Sequence, residues 1–167
     1  MQNKKQLLTI YLKYILIIIS FILIDQLSKL FFIHYFDDDN SKLFVVNKFL
    51  SFTYAWNYGI SFGFLSEYRD QANLVFFVIN TVISFYLFKL FFKYLNSHFL
   101  QKKSRSLNSR SLNNNDLEKD NSSCLALIWS LVFILSGAVG NIIDRVIHGG
   151  VFDFILLHYK SYFFSRI

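Results

Sequence analysis

Cys124-Leu-Ala-Leu-Ile-Trp-Ser-Leu-Val-Phe-Ile-Leu-Ser-Gly-Ala-Val-Gly-Asn-Ile-Ile143 carries no charge, and Asp144-Arg145 follow it directly. A run of this length is enough to cross the hydrocarbon core of a bilayer as a helix, which takes ~20 apolar residues. Ionisable groups at the edge of hydrocarbon are expensive, so Asn141, Asp144, Arg145 and, further on, Asp153 read as a functional site. Gly149-Gly150 turns the chain between them.

Two more apolar stretches lie upstream. The first covers residues 7–33, with Asp25 and Lys29 near its end, and the second covers residues 73–95, with Lys89 and Lys93 near its end. A buried helix of a soluble protein can be as apolar, but three such stretches in one short chain argue for a membrane. Composition agrees: 54% of residues are hydrophobic, 20% are aromatic and there is no proline. A soluble domain of this size carries more charge and some proline-marked turns. The chain is therefore expected to be an all-α polytopic membrane protein, a single membrane domain over residues 1–167 with spans at about 7–33, 73–95 and 124–143.

The net charge of +6 is not read as a nucleic-acid footprint, because the position of the cations matters more than their sum. Lys4, Lys5 and Lys13 precede or open the first span, and Lys89, Lys93, Lys102, Lys103, Arg105, Arg110 and Lys119 cluster around the connection between the second and third. Under the positive-inside rule the N-terminus is cytoplasmic and the loop at 34–72 is external, as is everything after Ile143. No small-residue cleavage site follows the first span before Asp37-Asp38-Asp39, so it is read as a retained anchor. Residues 97–123 are dominated by Ser, Asn, Lys and Arg toward their end and are expected to form a disordered cytoplasmic loop. In the external loop, Ser51-Phe-Thr-Tyr-Ala-Trp-Asn57 alternates small or polar residues with aromatics, the period of a half-buried strand. A small strand flap whose aromatic face rests on the outer leaflet is expected.

Asp25 and Lys29 are one helical turn apart and can pair. Asn57, beside the flexible Gly59, offers a donor and an acceptor suited to an extended peptide backbone. Gly137 and Gly140 leave room for a close approach by a helix or a substrate. Asn141 and Asp144 share a helix face, and Arg145 can hold a carboxylate or a carbonyl; Asp144 and Arg145 can equally neutralise each other. His148 and His158 lack partners at ligand spacing, so no metal is expected. Cys124 can form no internal disulfide.

Taken in order, Asp25-Gln-x-x-Lys29, Asn57-x-Gly59-x-x-Phe62-Gly63, Gly140-Asn141-x-x-Asp144-Arg145 and Val151-x-Asp153-Phe154 closely resemble the lipoprotein signal peptidases (signal peptidase II). The resemblance covers almost the whole chain; Ser136 stands where that family usually has a glycine. It implies an aspartic endopeptidase of the bacterial inner membrane, with no cofactor and the site facing outward. Such an enzyme removes signal peptides from prolipoproteins just before a diacylglyceryl-modified cysteine. Its partners would be those precursors and membrane lipid, not nucleic acid, and it is expected to act as a monomer.

The resemblance assigns Asp153 as a catalytic aspartate. It assigns Asp144, Arg145, Asn141, Asp25 and Lys29 as residues framing the site, and Asn57, Gly59 and Gly140 as substrate-binding. Two neighbouring carboxylates do not both ionise easily, which gives an acid and a base at one pH. The family's second aspartate lies in a Phe-Asn-x-Ala-Asp motif opening a fourth span, and the sequence through Ile167 contains neither. The sequence thus leads to an expectation of a truncated chain with little or no turnover. Two readings of function stay open: the endopeptidase that the resemblance implies, and the alternative of a truncated, non-catalytic family member that binds lipoprotein precursors without turnover.

Overall fold

A computed structural model describes residues 2–38, 42–59, 69–107, 114–159 and 162–163. Three long helices and four short strands follow in the order α1 (Gln2–Asp38), β1 (Leu43–Val45), β2 (Leu50–Asn57), α2 (Arg69–Leu107), α3 (Asn114–His148), β3 (Val151–Tyr159) and β4 (Tyr162–Phe163). Each helix contains a segment long and apolar enough to cross a membrane: Lys4–Asp37, Asp70–Gln101 and Ser122–His148. The three expected apolar stretches fall inside these helices.

The polar connection differs from the expected disordered loop over 97–123. Residues 97–107 continue α2 and residues 114–123 open α3; 108–113 lie outside the described residues. Low hydrophobicity argues against packing, not against helix continuation. Extending an existing helix carries no nucleation cost, and Leu, Gln, Lys, Arg and Glu are good helix formers.

The chain divides into two compact units. The first comprises residues 1–22 and 82–138, the second residues 23–81 and 139–167. In the first unit, Ile18 of α1, Phe91 and Leu95 of α2, and Ile128, Leu131, Val132 and Leu135 of α3 form a buried core. Tyr14 meets both Phe91 and Trp129 edge-on at 6.0 Å, and Phe21 lies 4.9 Å from Phe133. The outward faces stay apolar, with Leu12, Leu16, Val82, Phe85, Tyr86 and Ile134 all exposed. Exposed apolar surface on this scale is what lipid-facing helices present. Ser136 is buried, and its hydroxyl is satisfied by donating to the Phe133 carbonyl at 2.9 Å.

In the second unit the four strands make one antiparallel sheet in the order β1-β2-β3-β4. Strand β2 was expected over Ser51–Asn57; β3 was not, and it pairs with β2 along its length. Gly149, at φ 74°, ends α3 by donating its N–H to the Arg145 carbonyl at 3.1 Å, and the chain turns straight into β3. A glycine in this left-handed conformation is a common helix terminator.

The aromatics of β2 pack against α1 and β3. Phe52 packs 4.6 Å from Phe32 of α1, Tyr54 meets Phe36 at 6.4 Å, and Trp56 lies 5.2 Å from Phe152 of β3. Phe32 also stacks on Phe154 at 4.5 Å. These rings form an internal seam between helix and sheet, with Phe36 and Phe152 buried. Among the described residues, the large apolar side chains that the sheet exposes are Leu43, Phe44, Val45, Ile155 and Leu157, together with Val46 and Phe49 in the β1–β2 turn.

Candidate active site

Every candidate residue lies in the second unit, and the structure sorts them into two groups. The first is an interior ion cluster between α1 and α3. Lys29, only 6% exposed, lies 2.9 Å from Asp25 Oδ2 and 2.8 Å from Asp144 Oδ2. It also donates to Asn141 Oδ1 at 3.4 Å. Gln26 Nε2 donates to Asp144 Oδ1 at 3.0 Å and to Asp25 Oδ2 at 3.1 Å. The second oxygen of Asp144 also accepts the Phe152 N–H at 3.4 Å, which ties the cluster to the strand that carries Asp153.

The expected Asp25–Lys29 pair is therefore present, but it is one edge of a larger network. Asp144 is ion-paired with Lys29 at 2.8 Å, while its neighbour Arg145 acts on it from longer range. Adjacent residues on a helix point about 100° apart, whereas Lys29 arrives from the facing helix. Buried carboxylates need such partners, and Asp144 at 3% exposure has them on both oxygens.

Gly140 explains why the helices can meet here. A methyl group at this position would run into the Asp25 carboxylate. At Gly137, the other half of the expected small-residue groove, an added methyl would meet open space, so the contact with α1 is made at Gly140.

The second group surrounds Asp153. The register sets Asn57 opposite Val151 and Ala55 opposite Asp153. Asn57 and Asp153 are thus diagonal neighbours on one face of the sheet. Asn57 Nδ2 donates to Asp153 Oδ2 at 2.9 Å, while its Oδ1 accepts the Gly59 N–H at 2.7 Å. These two bonds use the amide in one orientation only, with the nitrogen aimed at the carboxylate. Gly59, at φ 90°, makes the turn that closes this arrangement. Phe62 and Gly63, the rest of that motif, lie outside the described residues. Asp153 itself is half-buried, and the structure gives it Asn57 as a hydrogen-bond partner where Asp144 has a buried cation.

Arg145 is 9% exposed and lies within electrostatic range of both Asp153 and Asp144. Its Nη1 donates to Asn73 Oδ1 at 3.1 Å, and Asn73 Nδ2 donates back to the Arg145 carbonyl at 3.4 Å. The guanidinium sits over the Phe76 ring, 5.6 Å from its centroid. His148 and His158 are otherwise engaged: His148 packs 5.1 Å from Trp56, and His158 hydrogen-bonds the fully buried Ser51 at 2.8 Å.

With this geometry in place, comparison with known proteins identifies the relationship. The family model for signal peptidase (SPase) II matches residues 17–109 and 114–167. The chain belongs to the signal peptidase II family. It is 36% identical over 148 residues to the lipoprotein signal peptidases of Rickettsia conorii and Rickettsia felis, and 37% identical to that of Rickettsia canadensis. Each alignment covers 89% of this chain and 60–61% of the relative, so the chain spans about 60% of the length of the curated relatives it matches. A bacterial membrane enzyme solved by the in meso method at 2.3 Å has a similar fold, with a TM-score of 0.53 and 25% sequence identity; the match covers 90% of this chain and 74% of that one. The three apolar helices and this family together mark a bacterial membrane protein.

Three residues at the site were not singled out from sequence. Gln26 sits inside the Asp25-Gln-x-x-Lys29 motif, and its amide beside a carboxylate was a usable signal. Asn73 and Phe76 had no such signal, since they open α2 and meet Arg145 only in three dimensions.

Proposed function

We propose that this protein is a membrane aspartic endopeptidase that removes signal peptides from prolipoproteins before a diacylglyceryl-modified cysteine, with Asp153 as a catalytic carboxylate. The observation that carries this reading is the division of labour between the two carboxylates. Asp144 has its charge held by Lys29 and both oxygens occupied, which suits a structural role. Asp153 is half-buried and oriented by Asn57, which suits contact with a reacting group.

In peptide hydrolysis one carboxylate takes a proton from the attacking water while a second protonates the carbonyl oxygen or the leaving amine. Asp153 supplies one of these groups. The family resemblance assigns the other to a Phe-Asn-x-Ala-Asp segment, which these 167 residues do not contain, and Asp144 is a poor substitute because its charge is already compensated. Arg145 and the Asn57–Gly59 turn frame the substrate backbone, and the Lys29 cluster holds α1, α3 and β3 in place around it.

The membrane-crossing parts of the helices are placed at about 7–33, 73–95 and 124–143, the N-terminus in the cytoplasm and the sheet at the outer face of the inner membrane. The cation distribution supports this orientation. At the outer face Leu43, Phe44, Phe49, Ile155 and Leu157 can meet lipid. The protein would act as a monomer with diacylglyceryl-modified precursors and lipid as its partners.

The test uses the protein in native membrane vesicles with two synthetic precursors that differ only in the diacylglyceryl group on cysteine. Cleavage of the modified precursor alone supports the reading. Binding of that precursor without cleavage would favour the non-catalytic alternative, and indifference to the lipid would overturn the substrate assignment.

A further inference from the structure

We propose that Phe76, assisted by Asn73, is a positioning residue for the active site, its ring packed against both Arg145 and the Asn57–Gly59 turn. This rests on the functional reading above and extends it to the start of α2, which none of the site motifs includes.

Phe76 makes two contacts that matter. Its ring lies beneath the Arg145 guanidinium at 5.6 Å, inside the range where the ring quadrupole attracts a cation. The same ring fills the space beside Gly59, where an added methyl would overlap it. Gly59 in turn donates its N–H to Asn57, and Asn57 holds Asp153. A single side chain therefore backs both the cation of the site and the turn that aims the catalytic carboxylate.

Asn73, one helical turn before, completes the grip on Arg145. It accepts from the guanidinium and donates to the Arg145 main-chain carbonyl, so it fixes side chain and backbone together. That carbonyl also accepts the Gly149 N–H that ends α3. The position of Arg145 is thus set from α2, although Arg145 belongs to α3.

The arrangement separates aromatic character from bulk. Phe76→Leu keeps an apolar side chain against Gly59 but loses the ring face, whereas Phe76→Tyr keeps both. The expected result with the modified precursor is about a tenfold fall in kcat for Phe76→Leu with KM little changed, and activity within about twofold of wild type for Phe76→Tyr. Equal losses in both variants, or no loss in Phe76→Leu, would overturn the proposal.

A second readout is independent of turnover: unfolding midpoints of the parent, Phe76→Leu, Arg145→Met and the double variant, monitored at Trp56 in a Trp129→Phe background. Non-additive midpoints are expected, and strict additivity would overturn the contact. Should wild type cleave nothing while the midpoints couple, the functional reading fails and the positioning contact stands.

Discussion

Replacing Lys29 by methionine should be among the most damaging single changes in the second unit. Lys29 is 6% exposed and lies 2.8 Å from the Asp144 carboxylate, whose side chain is 4% exposed, and 2.9 Å from that of Asp25. Methionine fills much of the same volume without the charge, so packing is largely retained. What remains is a buried carboxylate facing a second one, with Gln26 as the remaining donor shared between them. Removing one partner of a buried pair costs about 3–5 kcal/mol. For a chain of this size about 2–4 °C is lost per kcal/mol, which gives a fall of about 6–20 °C in the unfolding midpoint.

The assay is thermal unfolding in detergent micelles followed by the fluorescence of Trp56, which sits on the sheet of the same unit, in a Trp129→Phe background that removes the other tryptophan. A companion variant sharpens it. Lys29→Met combined with Asp144→Leu removes both buried charges and should recover more than half of the loss, because an apolar replacement for a whole pair is often neutral. A midpoint for Lys29→Met within about 2 °C of wild type would refute the reasoning, since that corresponds to less than about 1 kcal/mol.

Gly140→Ala should destabilise the protein by about 1–3 kcal/mol because its methyl meets the Asp25 carboxylate. Gly137→Ala has open space and should be neutral or stabilising by up to about 1 kcal/mol through helix propensity, and paired unfolding curves distinguish the two. Asn57→Ala removes the donor to Asp153 and the acceptor for Gly59. It should cost about 1–3 kcal/mol in unfolding and lower kcat more than it raises KM. Ser51→Ala removes the hydrogen bond between the buried Ser51 and His158 and should cost about 1–2 kcal/mol, seen as faster amide exchange in β2 and β3.

The three helices were legible because three long, mostly apolar runs, one of them charge-free, have few alternatives in one short chain. The Asp25–Lys29 pair was legible because helical spacing alone brings the two together. The pairing of Lys29 with Asp144 was not, since it joins helices more than a hundred residues apart in sequence, and the adjacent Arg145 was the nearer candidate on paper. Strand β3 was hidden for a different reason. Val151–Tyr159 shows no clean alternation, because Phe152, Phe154 and Leu156 face the seam while Ile155 and Leu157 on the other side are apolar too. Without that strand, Asn57 and Asp153 could be named separately but not joined. The extension of α2 and α3 into a polar segment was missed because composition reports burial, and helix continuation does not require it.

The reading of the two carboxylates is tested most directly by comparing Asp153→Asn with Asp144→Asn in the native protein, measuring cleavage of a diacylglyceryl-modified precursor and the unfolding midpoint on the same samples. Asp153→Asn is expected to lose at least about a hundredfold in cleavage while its midpoint stays within about 2 °C of wild type. Asp144→Asn is expected to lower the midpoint, because it leaves Lys29 with Asp25 as its remaining carboxylate partner. Wild-type cleavage by Asp153→Asn would contradict the assignment outright.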